Sequence, residues 1–314
     1  MNVLVTGGAG CVGSHLVENL LAKGNKVLVI DNLATGRASN LPKDANLEFV
    51  EGSIVDRDMV LKVFDKFKPE VVIHAAAAYK DPNNWVEDTN TNALGTANVV
   101  QASKVQNVKR FIYFQTALCY GTKPIEQPVT ITHPIRPDCS YAISKTAGEQ
   151  YIFMSGLDAV SFRLANVVGP RNLSGPLPTF YMRLTQNKSL FVMDTRRDFI
   201  FVQDLCEVVM KAVDGHGKSG AYHVSSGGDF SIKELYEAVV DELGMPEKKQ
   251  IEVRPRGPDD AFTILLDPSL TQQAFGWKTK TSLRDIVKAA VAWYKVNPIE
   301  QTFTHLKLPP DKTV

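Results

Sequence analysis

Short, nearly continuous apolar runs alternate with longer stretches of helical period through the first half of the chain. The runs are residues 3–6, 27–30, 47–50, 71–75 and 111–115. They show no in-and-out alternation, which predicts strands buried on both faces. Residues 12–23, 59–67 and 91–105 carry apolar positions at helical spacing. Repeated βα alternation implies parallel strands joined by right-handed crossovers, and so a doubly wound α/β sheet. Residues 141–155 are helical again and 159–164 return to a strand. Beyond them the alternation weakens. Residues 173–178, with Gly175, Pro176 and Pro178, read as a loop, and 199–202 and 222–225 read as strands. Helices are expected over 231–243 and 282–295. The first opens with Ser231 and Glu234, the spacing of a capping box, and the second with Ser282 and Asp285. The tail after Pro309 is expected to be loose.

Composition narrows the class without naming a task. The 314 residues are 44% apolar and 22% charged, with a formal net charge of +1. That is the balance of an ordinary globular protein, and it points to no nucleic-acid or membrane partner. No apolar run reaches the roughly 18 residues of a membrane span, and the N-terminus lacks the basic start of a signal peptide. The four cysteines, Cys11, Cys119, Cys139 and Cys206, have no metal-ligand spacing. Reduced, mostly buried thiols in a cytoplasmic, metal-free protein are expected.

The chemistry begins at Thr6-Gly7-Gly8-Ala9-Gly10-Cys11-Val12-Gly13, which follows the first strand and opens the first helix. Gly7 permits a tight turn, Gly10 lets backbone approach a pyrophosphate, and Gly13 lets helix lie close to strand. The helix N-terminus offers unpaired N–H groups to the phosphates. Asp31 ends the second strand, where a carboxylate accepts hydrogen bonds from the adenosine ribose and repels a 2′-phosphate. That favours NAD over NADP, with Arg37 six residues on as a countervailing charge. A Rossmann dinucleotide-binding domain is therefore expected over residues 1–165, with segments near 199–225 returning to it. A smaller mixed α/β substrate domain follows over 166–314.

Tyr141 and Lys145 are four residues apart on a predicted helix, hence on one face. A nearby cation favours phenolate, so Lys145 is expected to lower the pKa of Tyr141. Tyr141 then serves as acid and base while hydride moves at the same carbon. Thr116, at the end of the preceding strand, supplies a hydroxyl for the same substrate oxygen.

These motifs, with Asp31-Asn32, Thr35-Gly36-Arg37, Asn92 ahead of Gly95-Thr96, Asn166 through Gly169-Pro170-Arg171, and the segment 197–204, resemble the extended short-chain dehydrogenase/reductase family. Within it the chain is most similar to NAD-dependent nucleotide-sugar epimerases. The segments HAAAAYKDP and QTALCYG resemble O-antigen sugar epimerases of the WbmG type. The resemblance implies hydride transfer from sugar C4 to NAD, rotation of the 4-keto sugar, and return of hydride to the other face. It places Gly7, Gly10, Cys11, Val12, Gly13, Asp31, Asn32, Thr35, Gly36, Ser53, Ile54, Ala75, Ala76, Ala77, Lys80, Asn92, Tyr141 and Lys145 at the cofactor. Thr116, Ala117, Asn166, Arg171, Thr179, Arg197, Arg256 and Asp260 fall to the nucleotide sugar, most simply a UDP-sugar. The family often has Ser at the Thr116 position and Asp at that of Ser53.

Sugar 4,6-dehydratases resemble one another in an Asp-Glu pair where this chain has Ala117-Leu118. Without that pair, a 4-epimerase is favoured. A net reductase or dehydrogenase acting on a nucleotide sugar, and a non-catalytic NAD-binding protein, stay open as alternatives. Ile264, near the position that gates C2 substituents, decides neither a plain hexose nor an N-acetyl sugar. A homodimer is expected by analogy, built from the helices at 91–105 and 141–155.

Overall fold

The computed structural model describes residues 1–79, 81–256 and 261–303. The first half runs β1 (Asn2–Thr6), α1 (Cys11–Ala22), β2 (Lys26–Asp31), β3 (Leu47–Glu51), α2 (Arg57–Phe67) and β4 (Val71–His74). A short helix α3 (Trp85–Asp88) leads into a π-helical segment (Thr89–Gly95) and α4 (Thr96–Val105). Then come β5 (Arg110–Thr116), α5 (Ser140–Met154) and β6 (Ala159–Leu164). Far along the chain, β11 (Gly220–Val224) pairs in parallel with β6. The result is one seven-stranded sheet in the order β11-β6-β5-β4-β1-β2-β3, parallel throughout.

Successive side chains of a strand face opposite ways, and β1 shows what that does here. Val3 and Val5 join Leu16, Leu20, Ile73, Ile112 and Leu205 on one face. Leu4 joins Leu28, Phe64, Val72, Val99 and Phe111 on the other. The continuous apolar runs thus become a sheet covered on both sides. Residues 47–50 are the exception: β3 is an edge strand, and Glu48 and Phe49 are exposed. Its run of apolar residues is interrupted by that glutamate, and only one neighbouring strand covers it.

The second half contains β7 (Asn166–Val168), α6 (Pro176–Thr185), β8 (Phe191–Met193), β9 (Arg196–Arg197), β10 (Phe199–Phe201) and α7 (Val202–Val213). After β11 follow β12 (Phe230–Ser231), α8 (Ile232–Leu243), β13 (Glu252–Arg254), α9 (Ser269–Phe275) and α10 (Leu283–Val296). Three two-stranded ribbons, β7–β10, β9–β12 and β8–β13, sit beside a core from α6, α8 and α10 that includes Leu177, Phe180, Leu235, Val239, Ile286 and Val291. The capping box forms: Ser231 Oγ accepts from Glu234 N at 3.0 Å, and Glu234 Oε2 accepts from Ser231 N at 2.6 Å. Ser282 Oγ likewise accepts from Asp285 N at 3.2 Å. The loop expected over 173–178 ends early, because α6 starts at Pro176. A proline in the first turn of a helix gives up an N–H that has no intrahelical partner there.

Candidate active site

A cleft of about 660 Å³ runs along the carboxyl ends of the central strands, between the sheet and the second half of the chain. Its floor is the glycine turn. Gly7 has φ +68°, and a Cβ there would stand 2.6 Å from Ala76 N. A Cβ on Gly13 would stand 2.2 Å from Gly7 O. Only glycine permits both the turn and the close packing. Gly10 caps α1 without a side chain, and no acidic residue lies in the first helical turn. The leading N–H groups of α1 therefore face the cleft beside Cys11 and Val12, a site suited to an anion.

Asp31 is buried at the end of β2. Its Oδ2 accepts from Ala9 N at 2.9 Å and its Oδ1 from Leu33 N at 2.8 Å. The carboxylate is thus fixed against the glycine turn while it lines the cleft. Opposite, Ala75–Ala77 are held from behind by a buried hydroxyl–imidazole chain. Thr96 Oγ1 donates to Asn92 O at 2.6 Å, so it accepts from His74 Nε2 at 2.9 Å. His74 Nδ1 then accepts from Thr6 Oγ1 at 2.6 Å, and that oxygen accepts from Ala76 N at 3.2 Å.

Tyr141 and Lys145 on α5, and Thr116 at the end of β5, line the same cleft. Thr116 Oγ1 accepts from Leu118 N at 3.2 Å, which leaves its own proton to offer to the cleft. The Lys145 ammonium lies 4.1 Å from the centroid of the Tyr113 ring. Burial pushes it down to about 7, and Glu149 opposes that shift. The Tyr141 phenol is pushed up by burial, with Tyr79, Cys139 and Asp88 adding to the effect. This reverses the expected lowering: desolvation of the phenolate leads, and Lys145 is not among the groups that act on it. The protein by itself holds a neutral phenol beside a cation of weakened basicity.

The model of the NAD dependent epimerase/dehydratase family matches residues 3–225. The chain belongs to that family. A putative UDP-glucose 4-epimerase of Methanocaldococcus jannaschii is 31% identical over 310 residues, covering 94% of this chain and 99% of that one. Among solved structures, the Bordetella bronchiseptica enzyme WbmH in complex with NAD+ is 55% identical, with a TM-score of 0.92 over 95% of this chain and 99% of that one. WbmG of the same organism, in complex with NAD and UDP, is 45% identical, with a TM-score of 0.89 over 97% of each chain.

The residues present fit the cofactor of an NAD-dependent epimerase/dehydratase. The floor excludes any Cβ at Gly7 and Gly13, Asp31 sets a buried carboxylate at the end of β2, and Lys145 brings a buried cation to the wall. Asn32, Thr35, Ser53, Ile54, Ala75, Ala76 and Ala77 all line the cleft, as do Asn166, Thr179 and Arg197. Arg197 Nη1 donates to Arg196 O at 2.7 Å and Ala261 O at 3.0 Å.

Several expected site residues stand elsewhere. Asn92 is fully buried behind the wall: its Nδ2 donates to Ala78 O and Ser144 Oγ, each at 3.0 Å, and its Oδ1 accepts from Ala78 N at 2.9 Å. It holds the wall rather than lining it. Gly36 packs on Ala9, where a Cβ would stand 2.8 Å from the carbonyl carbon. Ala117 and Ile264 pack against a small core of Cys119, Tyr120, Val129 and Leu266. Arg171, at φ +66°, ion-pairs with Glu18 and donates to Ser14 Oγ at 3.2 Å. It fastens the second half of the chain to α1 instead of reaching the sugar side of the cleft. Arg256 is exposed, 5.2 Å from the Phe262 ring centroid. Lys80 and Asp260 lie outside the described residues.

The cleft also holds residues that the motifs do not single out: Tyr79, Asp88, Gln115, Asn172, Ser174 and Phe303. Tyr79 lies within the segment HAAAAYKDP, so a signal was there to read. Phe303 reaches the site only through tertiary pairing, with its N donating to Leu173 O at 2.8 Å. All four cysteines are free, and burial pushes Cys11 and Cys119 each up to about 12. No helix among the described residues is long and apolar enough to cross a membrane.

Proposed function

We propose that the chain epimerises a UDP-activated hexose or hexuronate at C4, with NAD kept bound through the cycle. The observation that carries this reading is the convergence of Thr116, Tyr141 and Lys145 on the cleft that Asp31 and the glycine turn floor. Ala117-Leu118 supports it further: no carboxyl pair stands there to remove a C6 hydroxyl. Tyr141 Oη takes the proton of the sugar hydroxyl and later returns it, and Thr116 steadies the same oxygen. Lys145 supplies the charge that lets the phenol part with its proton, and it holds the nicotinamide ribose. When bound, NAD accepts hydride from the sugar carbon and gives it back.

Residues 1–165 with β11 hold the cofactor, and residues 166–314 mainly hold the nucleotide sugar, with Asn166, Thr179 and Arg197 on the sugar side of the cleft. The protein works as a cytoplasmic homodimer. The supporting feature is a set of exposed apolar side chains on α3, the π-helical segment and α5: Trp85, Val86, Leu94, Ile143, Tyr151 and Met154. Patches of this kind on a soluble protein mark association surfaces.

The test is a panel of UDP-sugars offered to purified protein whose nicotinamide content has been measured. Interconversion of one 4-epimeric pair, without net NADH, is expected. Stoichiometric NADH formation with no epimer would replace the epimerase by a dehydrogenase.

A further inference from the structure

Beneath the cleft lies a buried charge network that touches none of the proposed ligands. Glu149 sits one helical turn after Lys145 on α5 and is fully buried. Its Oε1 accepts from Ser161 Oγ at 2.6 Å and from Arg163 Nε at 3.1 Å. Its Oε2 accepts from Arg163 Nη2 at 2.9 Å. Arg163 Nη1 in turn donates to Tyr120 Oη at 2.7 Å. Tyr120 Oη stands 2.6 Å from His223 Nε2, and His223 Nδ1 stands 3.0 Å from Asp267 O. One proton arrangement satisfies the chain: Tyr120 donates to Nε2, and Nδ1–H donates to the carbonyl. Tyr120 ends the 3-10 turn Ala117–Tyr120, and Thr116 caps that same turn. The network therefore joins the helix of Tyr141 and Lys145 to the turn of Thr116.

The charges are unevenly matched. Glu149 is one buried anion among two buried cations, Arg163 and Lys145. The other groups around Lys145 add no anion. His74 on β4 is neutral, with its imidazole pushed down to about 3 by burial. Tyr113 on β5 presents its ring, and its phenol is held well above the usual range. Tyr141 on α5 is neutral, and Asn92, Thr96 and Ser144 are uncharged. Asp88, at the end of α3, acts on Tyr141 and hydrogen-bonds Ser140, and burial raises it. Among the described residues, Glu149 is the carboxylate whose field reaches Lys145.

We propose that Glu149 and Arg163 are positioning residues for hydride transfer: the Glu149 carboxylate offsets the neighbouring Arg163 guanidinium so that Lys145 is not stripped of its charge, and Arg163, through Tyr120, holds the Thr116 turn against α5. This rests on the Tyr-Lys reading of the site, but not on which sugar is bound. A guanidinium does not release its proton inside a protein. Loss of the Glu149 charge therefore leaves Lys145 to discharge. Loss of Arg163 has the opposite effect, since the whole Glu149 charge then acts on Lys145. Removing both together restores the balance, and a buried pair replaced as a unit is tolerated far better than a broken one.

The experiment follows the Lys145 ammonium in sugar-free holoenzyme carrying 13C at lysine Cε, with the signal assigned by its absence in Lys145→Arg. In Glu149→Gln the titration midpoint is expected to fall by about one pH unit or more. In Arg163→Met it rises by a similar amount. In the double Glu149→Gln/Arg163→Met it returns to within about half a unit of the parent. If one single variant does not fold, the other carries the test, and an unmoved midpoint in that single variant overturns the charge half of the proposal. No sugar enters this measurement, so a wrong substrate assignment cannot produce that failure. Tyr120→Phe keeps every charge and removes the link to the Thr116 turn. It is expected to leave the midpoint in place and lower kcat about tenfold with KM nearly unchanged; an unaltered kcat overturns the positioning half.

Discussion

Ser174 Oγ donates to the Tyr79 hydroxyl at 3.1 Å, and the two residues come from opposite halves of the chain. Tyr79 follows β4 on the sheet side. Ser174 follows β7 and is backed by Phe303, whose carbonyl accepts from Gly175 N at 2.9 Å. All three line the cleft, so this one bond joins its two sides. Removing it in Tyr79→Phe is expected to let NAD escape a few-fold faster, in line with a single hydrogen bond of about 1 kcal/mol. Nicotinamide absorbance surviving repeated buffer exchange measures it; identical retention would show that the bond latches nothing.

Tyr141→Phe removes the proton carrier and leaves the ring in place. Turnover is expected to drop by roughly a hundredfold to ten-thousandfold. Bound NAD should stay at the parental level, because the floor of the site is untouched. Turnover within a factor of two of the parent would dismiss Tyr141 as acid and base.

Asp31→Ala deprives Ala9 N and Leu33 N of their shared carboxylate, and under the proposed function it also removes the acceptor for the NAD ribose. NAD affinity is expected to weaken roughly tenfold to a hundredfold. Titration of the apoprotein by calorimetry reads the change directly, and an affinity that does not move would place the ribose elsewhere.

Acid weakens the fold through buried imidazoles, His74 and His223 foremost. Burial pushes His74 down to about 3 and His223 to about 4, both below the ordinary 6.5. The unfolded chain therefore binds more protons than the folded one below about pH 6.5. The contribution of each histidine is complete above that pH. It is lost as pH falls toward about 4 for His223 and about 3 for His74. The urea midpoint is expected to be lower at pH 5 than at pH 7.5. His223→Gln, which keeps an acceptor for Tyr120, is expected to flatten that slope; an equal slope in this variant would exclude His223 as a source.

Met154→Lys and Ile143→Glu place charge on the exposed face of α5. Each is expected to shift the protein from dimer to monomer in sedimentation at micromolar concentration, with the fold retained. A dimer that persists in the double variant would move the interface off this face.

Much of the sheet and half of the site were legible because local rules and tertiary outcome agree. The glycine turn, Asp31 at a strand end, and Tyr141 four residues before Lys145 each depend on spacing within one element. The capping box at Ser231 and Glu234 is equally local. What escaped depends on partners distant in sequence. Arg171 looks like a phosphate ligand until Glu18, on the first helix, claims its guanidinium. The family resemblance puts Asn92 at the cofactor, yet its amide is consumed by Ala78 and Ser144. Burial reversed the shift expected for Tyr141, and burial is a property of the finished fold. Pro176 and Pro178 read as loop formers because nothing local distinguishes a proline that starts a helix from one that prevents it.

The π-helical stretch from Thr89 to Gly95 has a consequence for how such proteins can change. Its wider coil aims the Asn92 amide at Ala78, and Gly148 of α5 packs so close that a Cβ there would stand 2.8 Å from Asn92 O. Losing or gaining a single residue in that coil would rotate everything after it and unhook the wall from its peg. The exposed positions of the coil can take other side chains, but neither Asn92 nor the length of the coil can change without releasing the wall.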